Sequence, residues 1–220
     1  ISMPNSVEIN SKIIKFKKII TVSGDKSISI RWVLFSSLAN GVSKAKNLLL
    51  SEDVLAAIKT IRKLGIRSEI KKNECKIYGK GINGYKYKKN LILNAENSGT
   101  LGRLILGLLI NSSKPIKLIG DKSLSKRDFK RIADPLTKFG AKFNLKNNKN
   151  LPLTILGAKK LKPIKFTEKK GSAQVKSSVI FAGMRTDGIT FIKAEKSRNH
   201  TEAMSKYLNL PLKVMSKRTY

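Results

Sequence analysis

Hydrophobic residues along this chain switch repeatedly between two spacings. Short apolar runs at 7–9, 13–16 and 19–22 read as strands. From Trp32 the spacing becomes helical and holds to about residue 39, where Asn40-Gly41 supplies a stop signal. A strand is expected over 45–50. Ser51-Glu52-Asp53 opens a second helix over 54–64, in which Val54, Leu55, Ile58, Ile61 and Leu64 share one face, and Gly65 ends it. Runs 66–71 and 75–78 read as a hairpin turning at Lys72-Asn73-Glu74.

The same succession returns twice. A strand at 91–93 leads through Asn97-Ser98-Gly99-Thr100 into an apolar helix over 101–110. A strand at 116–119, a helix over 128–139 and a hairpin at 141–145 and 153–156 follow. Then come a strand at 164–166, the turn Gly171-Ser172-Ala173-Gln174, a helix over 175–184, a strand at 189–192, a helix over 201–208 and the start of a strand at 212–215. The turn serines Ser27, Ser98 and Ser172 stand 71 and 74 residues apart. Self-similarity at a fixed period means one supersecondary unit used three times. The first helix of a unit is apolar nearly all round, as Leu101, Leu104, Ile105, Leu106, Leu108 and Leu109 illustrate, so it must be buried. The expected fold is mixed α/β (α+β), with helices inside and sheets outside. Three equivalent helix N-termini would then converge on one cleft.

Composition narrows the chemistry. The 220 residues are enough for a real core, and no apolar run approaches the roughly 18 residues needed to span a bilayer. The first residues carry no charged segment followed by an apolar one, so no secretory signal is expected, and Met3 is a candidate start. Cys75 is the single cysteine and His200 the single histidine, which excludes an intrachain disulfide and any cluster of Cys or His around a metal. A cytoplasmic location fits. The net charge of +32 would ordinarily suggest nucleic acid. But 37 of the basic residues are lysines spread along the whole chain and nine are arginines, whereas Arg is the residue favoured for base and phosphate recognition. Tyr85-Lys86-Tyr87-Lys88-Lys89 interleaves aromatic and basic residues and reads as a solvated loop.

The stretch Gly24-Asp25-Lys26-Ser27-Ile28-Ser29-Ile30-Arg31 stands between a strand and a helix. Free N–H groups of a first helical turn, together with the helix dipole, favour an anion there, and Lys26 and Arg31 add full charges. Arg103 lies at the same place in the second unit. Small hydroxyls, a glycine permitting close backbone approach and fixed cations suit a ligand with several anionic groups. No Ser-His-Asp or Cys-His nucleophile assembly and no Walker loop can be built from these residues.

Five motifs in order resemble the 5-enolpyruvylshikimate-3-phosphate synthases (3-phosphoshikimate 1-carboxyvinyltransferases). They are Gly24 to Arg31; Asn97-Ser98-Gly99-Thr100 with Arg103; Gly120-Asp121-Lys122-Ser123-Leu124-Ser125-Lys126-Arg127; Gly171-Ser172-Ala173-Gln174-Val175-Lys176-Ser177; and Ser197-Arg198-Asn199-His200-Thr201-Glu202. The resemblance implies an inverse α/β barrel of the enolpyruvyl-transferase type. It also implies transfer of the enolpyruvyl group of phosphoenolpyruvate to the 5-hydroxyl of shikimate 3-phosphate, a step of aromatic amino acid biosynthesis. Phosphate is released through a tetrahedral intermediate, with no metal or organic cofactor. By motif position, Lys26 would touch both substrates and be the catalytic residue of this part. Ser27, Arg31, Ser172, Ala173, Gln174 and Arg198 would hold shikimate 3-phosphate. Gly99, Arg127 and Gln174 would hold phosphoenolpyruvate. Four departures stand out. Ile30 replaces a usual His or Asn, Glu96 a usual Gly and Asp128 a usual Pro, and Leu101-Gly102 differs from the usual residues before Arg103.

The family chain is about twice as long, with two similar three-unit domains and, in the second, the Asp expected to act as general base. This chain therefore reads as the N-terminal half. Residues 1–21 are expected to belong with the other domain, and 22–220 to form one domain of units at about 22–90, 91–160 and 161–220, with the C-terminal domain absent. The half alone is expected to be inactive and the whole enzyme monomeric, with neither nucleic acid nor membrane as partner. Two alternatives differ in kind. The related transferase acting on a UDP-sugar carries a reactive cysteine in a loop of this half and lacks the Lys-Ser-x-Ser-x-Arg opening. A basic RNA-binding protein on a similar repeat would show strong, salt-sensitive RNA binding.

Overall fold

The computed structural model describes residues 8, 10–12, 17, 19, 22–72 and 74–215. The strands expected at 7–9, 13–16 and 19–22 fall mainly outside the described residues, as does Asn73 of the first hairpin turn. In the first unit α1 (Lys26–Leu38) is followed by β1 (Asn40–Lys46), α2 (Glu52–Lys63) and the hairpin β2 (Arg67–Lys71) and β3 (Glu74–Lys80). The second contains β4 (Leu91–Asn94), α3 (Gly99–Leu108), β5 (Ile116–Ile119), α4 (Lys130–Thr137), β6 (Lys142–Lys146) and β7 (Asn150–Leu156). The third contains β8 (Lys165–Glu168), α5 (Ala173–Met184), β9 (Phe191–Ala194) and α6 (His200–Tyr207).

Each unit has its own sheet. The orders are β1-β3-β2, β4-β5-β7-β6 and β8-β9. The pairs β4/β5 and β8/β9 are parallel, each joined by a buried helix as parallel strands require, and the hairpin pairs are antiparallel. Strand β1 holds the place in its sheet that β5 holds in the second, beside the returning hairpin strand. The helices α1, α3 and α5 fill the centre, with their apolar side chains buried on most sides. Sheet residues such as Ile77, Leu93, Leu118 and Ile155 close over them. The expectation of helices inside and sheets outside is met. Each large apolar side chain so buried contributes roughly 1.5–3 kcal/mol.

The closest helix contact is between α3 and α5. A Cβ on Gly107 would lie 2.2 Å from the Ser178 carbonyl oxygen, so only glycine allows the two backbones to approach this far. Ser178 Oγ donates to the Arg103 carbonyl at 3.0 Å across the same seam. The rings of Phe35 and Phe181 tie α1 to α5 with centroids 4.8 Å apart. Among the described residues, no helix is long and apolar enough to cross a membrane.

Three local expectations are corrected. The strand expected over 45–50 is β1, which starts directly after α1. Asn40 and Gly41 pair with Lys80 and Gly79 instead of forming a free turn, and Gly41 takes a φ of 107° inside the strand. The fourth helix begins at Lys130, because Leu124–Lys126 form a short 3-10 turn and the Phe129 N–H is drawn to the Lys149 carbonyl at 2.8 Å. Residues 212–215 carry no strand.

Candidate functional site

The buried helices α1, α3 and α5 begin on equivalent caps. The Asp25 carboxylate accepts from the Ile28 N–H at 2.7 Å, Ser98 Oγ from the Leu101 N–H at 3.2 Å, and Ser172 Oγ from the Val175 N–H at 3.4 Å. The capping positions make the register more even than the serine pattern suggested, at 73 and 74 residues apart. Asp25, not Ser27, is the equivalent of Ser98 and Ser172, and Ser27 lies inside the first turn of α1.

Arginines link these three helix starts. Arg31 on α1 is 3% exposed, and its guanidinium donates to Thr201 Oγ1 on α6 at 2.7 Å, to Ser177 Oγ on α5 at 3.1 Å and to the Ser27 carbonyl at 3.0 Å. Thr201 and Ser177 are themselves hydrogen bonded at 2.7 Å. Arg103 on α3 is also buried, donates to Gln174 Oε1 on α5 and stacks over Phe129. Gln174 Nε2 in turn donates to Thr100 Oγ1 on α3 at 3.1 Å. Arg131 on α4 donates to the capping Ser172 Oγ at 2.9 Å.

Gly99 opens α3 against this group. A Cβ there would come within 2.9 Å of Arg103 Nη1 and 3.2 Å of Arg127 Nη1. A bare backbone N-terminus thus faces two guanidinium groups. Burial pushes Arg103 down to about 10, and the nearby Arg131 and Arg127 charges push the same way. Burial likewise lowers Arg31 to about 10, opposed by Glu202. Both remain cationic at neutral pH. Four arginines, Arg31, Arg103, Arg127 and Arg131, gathered near helix N-termini form a field that a multiply charged anion would neutralise.

The expected residues fall into two sets. Ser27, Arg31, Gly99, Arg127, Ser172, Ala173 and Gln174 stand on or beside the three helix starts. Lys26 is more than half exposed and points toward α2, with its Nζ 3.4 Å from Asp53 Oδ2. Arg198 is exposed on the loop before α6 and acts on Arg31 through its charge. Glu168 arranges the turn before α5 by accepting from the Lys170 and Ser172 N–H groups at 3.0 and 2.8 Å. Glu202 on α6 pairs with Lys176 on α5. Arg131 and Thr201 were not singled out as site residues by the sequence. A signal for Arg131 was present: it is a cation in the first turn of a helix, where the dipole disfavours one.

The departures have local explanations. Glu96 sits at a φ of 51°, in the left-handed region that favours glycine, and is held by hydrogen bonds in both directions with Asn94. Asp128 Oδ1 accepts from the Arg131 N–H at 3.3 Å at the start of α4. Gly102 leaves room for Phe129, whose ring would lie 3.3 Å from a Cβ there, and so for the stack beneath Arg103. Ile30 is fully buried in the core.

The chain is similar to known proteins in sequence and in fold. A 3-phosphoshikimate 1-carboxyvinyltransferase of Streptococcus agalactiae serotype Ia is 45% identical over 190 residues, covering 86% of this chain and 44% of the relative. One from Caldicellulosiruptor bescii is 42% identical over 212 residues, covering 96% and 47%. A solved EPSP synthase structure from Acinetobacter baumannii superposes with a TM-score of 0.84 at 36% identity, over 89% of this chain and 44% of its own. The chain thus spans a little under half the length of these relatives. The model of the EPSP synthase (3-phosphoshikimate 1-carboxyvinyltransferase) family matches residues 11–220, and the chain belongs to that family.

Proposed function

We propose that this chain supplies one face of an active site that moves the enolpyruvyl group of phosphoenolpyruvate onto the 5-hydroxyl of shikimate 3-phosphate. The observation that carries this reading is the cross-helix network Thr100–Gln174–Arg103 with Arg131–Ser172, which turns two helix N-termini and two guanidinium groups toward one place. In the proposed reaction the 5-hydroxyl gives up its proton to a general base as its oxygen bonds to C2 of phosphoenolpyruvate, while C3 gains a proton and becomes a methyl group. The tetrahedral adduct then loses phosphate from C2 and one proton from the C3 methyl group. Both substrates carry negative charge on carboxylate and phosphate oxygens, more builds on the phosphate as it leaves, and preorganised Arg and backbone N–H donors are the groups that hold it.

In this proposal Ser172, Ala173 and Gln174 at the start of α5 receive the 3-phosphate and ring, with Arg198 on the phosphate side. Ser27 and Arg31 receive the shikimate carboxylate and ring. Gly99, Arg127 and Gln174 receive phosphoenolpyruvate. Lys26 serves both substrates as the catalytic residue of this part, for which its ammonium must swing away from Asp53. Turnover is assigned to the whole protein, with a general base from the further domain, and binding of shikimate 3-phosphate to this part. Calorimetric titration of the chain with shikimate 3-phosphate tests the reading. We expect saturable binding that falls about tenfold in Ser172→Ala, which removes the hydroxyl assigned to the 3-phosphate and its contact with Arg131. Equal affinity in that variant would overturn the assignment, and phosphate release by this part alone at the rate of a full-length relative would overturn the division of labour.

A further inference from the structure

At the opposite end of the buried helices lies a cavity of about 160 Å³, which the reading above does not use. Tyr85, Tyr87, Asn83, Asn111, Leu109 and Arg185 contribute to its walls. Arg185 caps the C-terminal end of α5. Its Nη2 donates to Asn111 Oδ1 at 2.7 Å, and the guanidinium carbon lies 5.6 Å from the centroid of the Tyr85 ring. Its Nε and Nη1 are closed off from solvent and have no hydrogen-bond partner.

The neighbours are already engaged. The Tyr85 hydroxyl is 2.7 Å from Ser37 Oγ, and the Tyr87 hydroxyl donates to the Lys114 carbonyl at 3.5 Å. The carbonyls of Leu109, Ile110 and Ala182, which end α3 and α5, accept from Ser112, Ala158 and Arg185. Among the described residues no carboxylate pairs with Arg185. The charges that act on it come from the Tyr85 and Tyr87 phenols, and burial pushes Tyr85 up to about 12, so its phenol is neutral at physiological pH. A partly buried guanidinium with two enclosed N–H groups unpaired and no counter-charge is unfavourable, and an anion relieves both deficits together.

We propose that this cavity binds a small organic acid by its carboxylate, with Arg185 as the anion-binding group and Tyr85, Tyr87 and Leu109 against the apolar part. One guanidinium balances one negative charge, and the two rings and the leucine offer an apolar edge in a cavity otherwise walled by polar groups. Pairing with the carboxylate requires the guanidinium to turn so that an enclosed N–H group faces the cavity. The site is separate from the helix N-termini and does not rest on the enzyme reading.

Benzoate and inorganic phosphate, titrated into the ¹⁵N-labelled chain while the arginine Nε–H signals are followed, test this. Benzoate is expected to move the Arg185 signal saturably, and phosphate to move those of Arg103 and Arg131. Arg185→Gln is expected to weaken benzoate binding at least tenfold and to leave the phosphate response intact, which also shows that the variant folds. An Arg185 signal that benzoate leaves in place, unchanged benzoate binding in Arg185→Gln, or phosphate taking the Arg185 site at lower concentration than benzoate would each overturn the proposal. Should Arg185→Gln fail to fold, the titration of the unaltered chain decides.

Discussion

The two ends of the central helices treat buried arginine in opposite ways. At the N-terminal end, Arg31 is locked by two hydroxyls and a carbonyl, while Arg103 is held by Gln174 and the Phe129 ring with its Nε enclosed and unpaired. At the C-terminal end, Arg185 has one side-chain partner and two enclosed N–H groups without any. The dipole makes the contrast sharper. Cations at helix N-termini oppose the field and become favourable only with an anion present, while a cation at a C-terminus is already favoured by it. The first end is therefore organised to receive charge. At the second the dipole favours the cation, but two of its N–H groups are left unpaired, so a ligand there gains by hydrogen bonding as well as by charge.

The largest effect should come from the seam that joins both ends. Gly107→Val drives a side chain into the Ser178 carbonyl and should cost about 3 kcal/mol or more. A fall in the urea midpoint, with ligand response lost at both ends together, is the expected result. Preserved stability would mean that α3 and α5 are not held where described.

Arg31→Met tests the locked end alone. It keeps much of the buried volume but leaves Thr201 and Ser177 to each other, and should lower shikimate 3-phosphate affinity by ten- to a hundredfold, from the loss of about 1.5–3 kcal/mol of charged hydrogen bonding. Benzoate binding at Arg185 should be unchanged. If both fall, the ends are coupled and the comparison fails.

The pH dependence follows from the lowered arginines. Arg31 and Arg103 bind protons less tightly when folded than when unfolded, so the penalty of burying their charge is present at neutral pH and relieved as pH rises through about 10. Anion binding at the N-terminal end should weaken in that same window, well below the usual guanidinium range. Affinity measured across pH 8 to 11 would show it, and a flat profile would contradict it.

The smallest expected effect concerns the loop before α3. Glu96→Gly removes the left-handed strain of a non-glycine residue and should raise stability by about 1 kcal/mol, less whatever the hydrogen bonds with Asn94 contribute. Thermal unfolding would register it as a rise of a few degrees. No rise would mean that the Asn94 contacts offset the strain.

Much of the fold was legible in the sequence because each unit repeats a local pattern. The all-round apolar character of α3 required burial, and the polar turns before α3 and α5 marked their caps. The strand after α1 was misplaced because Asn40-Gly41 is a turn signal locally, and only pairing with Lys80 and Gly79 makes it part of a sheet. Tyr85 and Tyr87 read as a solvated loop beside their lysines. In the structure the lysines stay outside while both rings pack against the core, Tyr85 against Ser37.

For the site, residue type and motif order pointed to the helix starts, and the structure sets Arg127 beside Gly99 and Gln174 beside Arg103, with Arg31 bound to Ser177 on α5 and Thr201 on α6. Lys26, turned toward Asp53, stands apart. The sequence by itself determined three units, three capped apolar helices and the cations placed at their starts, because those depend on spacing along the chain. Tertiary structure alone decided that Arg31 would be held by Thr201, 170 residues away, that Arg131 would reach Ser172, and that Arg185 would be enclosed without a counter-charge. Such contacts join residues with no relation in sequence, and packing of α1, α3 and α5 sets which hydroxyl meets which guanidinium.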